Sequence, residues 1–371
     1  MCVARALVAG TLVVVGLTLT ALVLPAEAAG SWWVRSPPSA GSISALATNQ
    51  GPTTLAISEG VPGWYRPSTG HFAEIPGMGT GHPPGLAVAV AAEDGRGVVA
   101  FSGGSLIEVT EVGTWHLIPS VPGVPKAVAV IGGQPLLLAV ATSGGLYSGR
   151  VGDRLSLVTP GAARLVLAPT RPGLAWQALV AGELWTRPTG RAWGPAPGAP
   201  LFDGRTHVMA ELSDGSILVA EPGGLVWRGV GRRWFRAFQL LPYGGLGGVP
   251  QPTSLAADGE GSAYLATDGF GTLLTPDGGY SWYRAAPPEG AISSLATVGP
   301  VFGSKARGYV VATSAAGLFL HRLQLLPEPP VYSPFGQTAE LLGTAAVTVV
   351  AALLTLLALW YLSRLNRSLS V

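Results

Sequence analysis

The amino-acid sequence predicts an all-β fold, a seven-bladed β-propeller closed by an N-terminal strand, together with one C-terminal transmembrane helix. Three observations predict it: a recurring unit of four short strands, a match between the two ends of the repeating region, and an uncharged apolar run near the C-terminus. We therefore divide the chain into a signal peptide (1–28), the propeller (29–326), a proline-rich linker (327–340), the transmembrane helix (341–362) and a cytoplasmic tail (363–371).

The first 28 residues have the parts of a secretory signal peptide. Arg5 precedes an apolar run at residues 6–24, and Ala26 and Ala28 are the small residues that a signal peptidase requires. The run is also close to the ~20 residues that span a bilayer, so an uncleaved anchor is the alternative. The only cysteine, Cys2, lies in this segment, so we expect no disulfide and no cysteine metal site in the propeller.

The repeating unit is clearest at residues 252–290. Short apolar strands are predicted at residues 253–256, 262–267 and 271–275, a Pro-Asp-Gly-Gly turn follows, and residues 281–284 form a fourth strand. Four short strands separated by glycine and proline are typical of one propeller blade.

This unit recurs seven times. Its innermost strand begins near positions that are 37 to 46 residues apart: Ser44, Leu86, Val128, Leu165, Val208, Ser254 and Ser294. The seventh unit lacks a fourth strand, whereas residues 31–41 match residues 281–290 with one inserted residue. We therefore expect Trp32 and Trp33 to pair near residues 318–320 of the last blade. Such pairing closes the ring and protects its edges, whereas a solenoid would need capping repeats.

The C-terminal run at residues 341–362 carries no charge, and a helix of this length, at ~1.5 Å per residue, crosses the ~30 Å hydrocarbon core. Trp360 and Tyr361 lie at its end, and Arg364 and Arg367 follow. Arginines on the short side mark the cytoplasmic side. We expect a single-pass protein of the cell membrane, with the propeller outside the cytoplasm and the C-terminus inside. A buried core helix is the alternative, which would need a covering that residues 363–371 are too few to provide.

The charge of the predicted exported part is close to zero. Three of the 22 Lys and Arg residues and one of the 20 Asp and Glu residues lie outside residues 29–340. This balance predicts no nucleic-acid partner, and we expect a monomer. One local cluster of arginines is interpreted as a solvated strand edge: Arg228, Arg232, Arg233 and Arg236.

Residues 275–282 resemble the Asp-box, or bacterial neuraminidase repeat, whose pattern is Ser/Thr, any, Asp, any, Gly, any, Ser/Thr, Trp. Thr275, Asp277, Gly279 and Trp282 occupy its defining positions. The Asp-box superfamily includes sialidases, some glucanases, sortilin-type receptors and photosystem assembly factors, so the resemblance implies a propeller fold and no particular chemistry. In those families the box is a structural turn, and the resemblance implies the same role here.

Acidic residues occur in the predicted turn between second and third strands of four blades: Glu59, Glu183, Glu221 and Asp268. These turns lie on one face around the channel mouth, so the four residues are a candidate site for a cation, a basic peptide or a sugar. Ordinary solvated turns are the alternative. The five histidines lack the spacing of metal ligands, and no metal or other cofactor is predicted.

We therefore expect a binding or assembly module for an envelope protein or a polysaccharide. The alternative is an anchored glycoside hydrolase or lyase of the sialidase-like propeller type. Glycoside hydrolysis needs two carboxylates about 5–10 Å apart, and carboxylates are sparse in this sequence. No catalytic residue is assigned.

Overall fold

The propeller is built from short strands, and the second strand of each four-stranded unit is mostly apolar. The computed structural model describes residues 33–35, 43–47, 52–78, 85–93, 95–133, 135–169, 174–241, 248–257, 261–269, 271–285, 291–298, 309–314 and 317–322. The predicted signal peptide, linker, transmembrane helix and tail lie outside these residues. Within them, no helix has the length and apolar character needed to span a membrane.

The strands form seven four-stranded antiparallel sheets, the seven predicted blades. In chain order they are β1 (Trp33–Arg35), β2 (Ile43–Leu46), β3 (Thr54–Ser58), β4 (Val61–Arg66), β5 (His71–Glu74), β6 (Ala87–Glu93), β7 (Arg96–Phe101), β8 (Leu106–Thr110), β9 (Trp115–Ile118), β10 (Pro125–Ile131), β11 (Leu137–Thr142), β12 (Gly145–Arg150), β13 (Ser156–Pro160) and β14 (Ala163–Leu167). They continue as β15 (Trp176–Val180), β16 (Glu183–Arg187), β17 (Gly194–Pro195), β18 (Val208–Glu211), β19 (Ile217–Ala220), β20 (Leu225–Val230), β21 (Arg233–Gln239), β22 (Pro252–Ala257), β23 (Ala263–Thr267), β24 (Thr272–Thr275), β25 (Tyr283–Ala285), β26 (Ile292–Val298), β27 (Tyr309–Ser314) and β28 (Gly317–Arg322).

The first strand closes the ring. Blades 1 to 6 are β2–β5, β6–β9, β10–β13, β14–β17, β18–β21 and β22–β25, and blade 7 has the order β1-β28-β27-β26. Trp33 pairs with His321, Val34 with Leu320 and Arg35 with Phe319. The predicted closure is therefore confirmed for Trp33, whereas Trp32 lies outside the described residues.

The core lies between blades. All five residues of β3, of β15 and of β23 are buried, because a second strand is covered on both faces by neighbouring blades. One cluster joins Val98 and Leu106 of blade 2 to Leu138 and Tyr147 of blade 3. A strand buried on both faces is a continuous apolar run rather than an alternating one.

The outer strands of blades 4 and 6 are short, and the second of them differs from its predicted range. β25 begins at Tyr283 rather than at residue 281, because the Ser281 amide and the Trp282 indole both bond back into the preceding turn. The outer strand of blade 4 is only Gly194–Pro195, and Pro195 has no amide hydrogen to extend a ladder.

A β-bulge occurs at the start of the innermost strand in six blades. Register shifts fall between Ile43 and Ala45, Ala87 and Ala89, Pro125 and Ala127, Ala163 and Leu165, Pro252 and Ser254, and Ile292 and Ser294. Each shift leaves one residue out of the ladder, and bulges of this kind redirect a side chain.

Candidate functional site

The innermost strands are β2, β6, β10, β14, β18, β22 and β26, and each contacts the next in cyclic order. Their first residues therefore surround one mouth of the central channel. We call this side of the ring the upper face. The turns between second and third strands belong to it as well, because antiparallel pairing brings the start of the first strand beside the end of the second, as between Ala87 and Phe101.

The bulges place a ring of side chains at this mouth. Ser44, Val88, Lys126, Arg164 and Ser293 are exposed and Thr253 is half-buried, and each follows a buried residue. In blade 5, exposed His207 follows buried Thr206 just before β18 and occupies the equivalent place. We call these seven residues the mouth ring: Ser44, Val88, Lys126, Arg164, His207, Thr253 and Ser293. The strand starts expected from sequence fall close to these residues, but a bulge is invisible to an alternating pattern, so the ring itself was missed.

The four predicted acidic residues occupy three different positions on this face. Glu59 and Asp268 directly follow β3 and β23, whereas Glu183 is the first residue of β16. Glu221 also follows its second strand, β19, but it still pairs across the hairpin, since its amide donates to the carbonyl oxygen of Leu225 at 2.8 Å. Glu59, Glu183 and Asp268 are exposed, and Glu221 is half-buried. The four share a face but do not form a single ring of equivalent positions.

Internal hydrogen bonds already engage two of these carboxylates. Glu221 accepts from the amide of Asp203 and from the indole Nε1 of Trp227, both at 3.0 Å. Asp268 accepts from the amide of Gln251 at 2.8 Å. The binding role of the four residues stays a prediction, and these bonds show that Glu221 and Asp268 also stabilise the loops that connect blades.

An ion pair lies beside the mouth ring between blades 4 and 5. Arg205 donates from Nη2 to Asp203 Oδ2 at 2.9 Å, and its amide donates to Asp203 Oδ1 at 2.8 Å. Arg164 donates from Nε to the carbonyl oxygen of Gly204 at 2.7 Å. The Arg205 hydrogen bonds, followed by the charges of Arg205 and Arg164, lower the pKa of Asp203. These contacts favour the ionised form of the Asp203 carboxyl and hold residues 203–205 in a tight turn.

The turn with the Asp-box pattern lies between β24 and β25. Asp277 Oδ1 accepts from the Thr275 hydroxyl at 3.0 Å and from the Ser281 amide at 2.8 Å, and Oδ2 accepts from the Ser281 hydroxyl. Thr275 Oγ1 accepts from the Gly279 amide at 2.6 Å. Trp282 is fully buried, and its Nε1 donates to the carbonyl oxygen of Gly279.

The arginine cluster is not uniformly solvated. Arg232, Arg233 and Arg236 are exposed, but only 6% of the Arg228 side chain is accessible. Arg228 donates from Nη2 to Asp214 Oδ2 at 3.0 Å and lies 4.2 Å from the ring centroid of Tyr280. For Arg228 the interpretation as a solvated strand edge was wrong. Its side chain points between blades, where a carboxylate and an aromatic face replace water.

Among the described residues, no group of three or more His, Cys, Asp and Glu side chains is arranged to hold a metal ion. No family model matches the sequence. No curated protein sequence matches it either.

Solved structures with the same fold do exist. A structure of YCF48 bound to D1 peptide has a TM-score of 0.58 at 15% identity, covering 79% of this chain and 96% of that one. Streptogramin B lyase has a TM-score of 0.59 at 11% identity, covering 79% and 99%. PorZ, a bacterial surface component of the type-IX secretion system of Porphyromonas gingivalis, has a TM-score of 0.54 at 11% identity, covering 80% of this chain and 40% of that one. This chain has the β-propeller fold. At such identities the likeness concerns the fold alone, and a fold does not by itself determine a function.

Proposed function

We propose that this protein is a binding or assembly module that holds its propeller outside the cytoplasm, anchored by the apolar run at residues 341–362. Its partner is an envelope protein or a polysaccharide. The mouth ring is the observation that supports this proposal most directly. Six bulges and one equivalent residue place differing side chains around one channel mouth, on a scaffold whose ring is closed by strand pairing.

Such an arrangement suits recognition because rigid elements carry the contacting residues. Recognition of a protein segment agrees with the likeness to YCF48, which has been solved bound to a peptide. The structural role proposed for the Asp-box turn agrees with its hydrogen bonds, since Asp277 bonds only within its own turn in the contacts described above.

Site-specific crosslinking in cells tests the upper face. A photoreactive amino acid replaces Ser44 or His207 on the upper face, and Thr69 or Arg232 at the opposite end of the same two blades is the matched control. Thr69 and Arg232 are both exposed. We expect a discrete crosslinked partner, identified by mass spectrometry, from the upper positions alone. Crosslinks from the lower positions only would overturn the proposal, and turnover of an envelope polysaccharide by the purified protein would favour the hydrolase or lyase alternative.

A further inference from the structure

We infer that blades 2 to 4 of the upper face take a peptide segment that contains both carboxylate and aliphatic side chains. The inference rests on the proposed function and specifies the chemistry of the partner. Lys126 and Arg164 bind the carboxylates, and Leu86, Val88 and Val124 receive the aliphatic side chains. These residues lie in or beside the mouth ring on three consecutive blades.

The charge of the mouth ring is uneven. Lys126 and Arg164 occupy equivalent bulges on β10 and β14, two innermost strands that contact each other. Both residues are exposed. The rest of the ring is Ser44, Val88, His207, Thr253 and Ser293, so positive charge is concentrated on blades 3 and 4. Two cations facing one carboxylate form charge-assisted hydrogen bonds, and the planar guanidinium can bind both oxygens.

The carboxylates of the upper face do not cancel this charge at the mouth. Asp203 lies close enough to Arg164 to feel its charge, but it is already paired with Arg205, and both oxygens of Glu221 accept internal hydrogen bonds. Glu183 begins β16, two strands outward from β14, a separation of ~10 Å at ~4.8 Å per strand. Glu59 and Asp268, the remaining two of the predicted acidic residues, lie on blades 1 and 6. An anion that approaches blades 3 and 4 therefore meets Lys126 and Arg164 first.

Exposed aliphatic side chains lie at or just before the equivalent bulges of blades 2 and 3. The accessible fractions are 66% for Leu86, 37% for Val88 and 41% for Val124. The amide of Leu86 donates to Ser102 Oγ at 3.3 Å, and the amide of Val124 donates to Ser143 Oγ at 3.0 Å. The same serine contact thus fixes both residues in equivalent places. Grouped exposed apolar side chains mark interaction surfaces, and aliphatic ones suit apolar peptide side chains, whereas sugar rings pack best on flat aromatic faces.

A peptide-display library tests the inference on the full-length protein in detergent micelles. The probe is a phage library of random ten-residue peptides, and enriched peptides are then synthesised for binding by fluorescence anisotropy. We expect enrichment of Asp or Glu next to Leu, Ile or Val. The double variant Lys126→Gln/Arg164→Gln should weaken binding of those peptides at least tenfold. Val88→Asn should weaken it severalfold.

The matched control is Arg150→Gln/Arg154→Gln, which removes two exposed charges from the other end of blade 3 and should leave binding unchanged. Equal loss in both double variants would show a nonspecific charge effect and overturn the inference. Enrichment of neutral or basic peptides, or tighter binding of a short oligouronate than of any peptide, would overturn it as well. If crosslinks still form at Ser44 in those cases, the proposed function survives. If crosslinks form only at the lower positions, both fail.

Discussion

Carboxylates in the described part of this propeller act mainly as acceptors for nearby amides or as partners of arginine. Glu221, Asp268 and Asp277 accept from backbone amides, and Asp203 and Asp214 pair with arginines. Some of these contacts close a single turn, as at Asp277 and Asp203, and others tie a turn to the loop between two blades, as at Glu221 and Asp268. An acidic residue in a turn is therefore weak support for a binding site until its partners are known.

Asp277→Ala should lower the free energy of unfolding by ~1 kcal/mol or slightly more, because the turn loses its shared acceptor while the exposed site readmits water. Thermal and urea unfolding measure this loss, and partner crosslinking through Ser44 should be unchanged. An unaltered melting temperature combined with lost crosslinking would show that Asp277 acts in binding instead.

The contribution of Asp277 should also depend on pH. Burial alone would raise the pKa of its carboxyl, but hydrogen bonds from the Ser281 hydroxyl and amide and from Thr275 outweigh it and lower the pKa. A lowered folded-state pKa gives stabilisation that is present above the unfolded value of ~3.9 and is lost as the pH falls through the folded value. The stability difference between wild type and Asp277→Asn should therefore shrink below about pH 4, and a constant difference from pH 7 to pH 2 would contradict this assignment.

Arg228 and Asp214 should respond unequally to substitution. The Arg228 side chain is 6% accessible and that of Asp214 is 53% accessible. Asp214→Asn leaves a buried guanidinium without its counter-charge and should cost about 2 kcal/mol. Arg228→Met keeps the packing and leaves a carboxylate that water can reach, so it should cost about 1 kcal/mol or less. Urea unfolding compares the two, and a larger cost for Arg228→Met would contradict this account.

At the scale of elements, ring closure depends on three paired residues. β1 covers the outer edge of β28, and without it that edge of blade 7 would be open for pairing with another chain. The bulges are the second feature at this scale. They add a residue at the same point of six innermost strands, so one side chain leaves the ladder while the rest of each strand keeps its register.

Deletion of residues 31–38 should open the ring and cause aggregation of the full-length protein, measured by size-exclusion chromatography and light scattering. The matched control replaces residues 31–38 with the sequence of residues 281–288, which carries the same pattern and should restore a monomeric, cooperatively unfolding protein. A deletion variant that stays monomeric with an unchanged melting temperature would show that closure does not need β1.

At the scale of the whole molecule, the expected topology decides which partners can reach the upper face. Two arginines, at positions 364 and 367, follow the apolar run and favour a cytoplasmic C-terminus. The propeller has little net charge that would oppose its export. Protease added to cells stripped of any outer barrier should digest the propeller while a tag after Val371 survives.

Truncation after Pro334 should release a secreted propeller with the far-UV circular dichroism and melting temperature of the intact domain, because the strands that close the ring precede that point. Digestion of the tag with a protected propeller would reverse the topology. The envelope partner, the signal peptide and the surface assignment would then have to be abandoned together.

The blade count and the closing strand followed from the sequence because both are repeated patterns. Seven apolar second strands recur at similar spacing, and residues 31–41 match residues 281–290. Equivalent strands of different blades are buried in the same way and therefore have similar compositions. The repeated burial thus appears as a repeat in the sequence. The residues of the Asp-box pattern were visible for a different reason, because they lie within eight consecutive positions.

The tertiary structure alone decided which side chains share the channel mouth. A one-residue bulge shifts the faces of a strand without changing its composition, so the mouth ring with Lys126 and Arg164 could not be seen in the alternation of residues. Arg228 was mistaken for a solvated residue because neither of its partners is near it in the sequence. Asp214 lies 14 positions earlier, and Tyr280 lies on the next blade. Burial of a charge depends on partners brought together by folding, and local sequence carries no record of them.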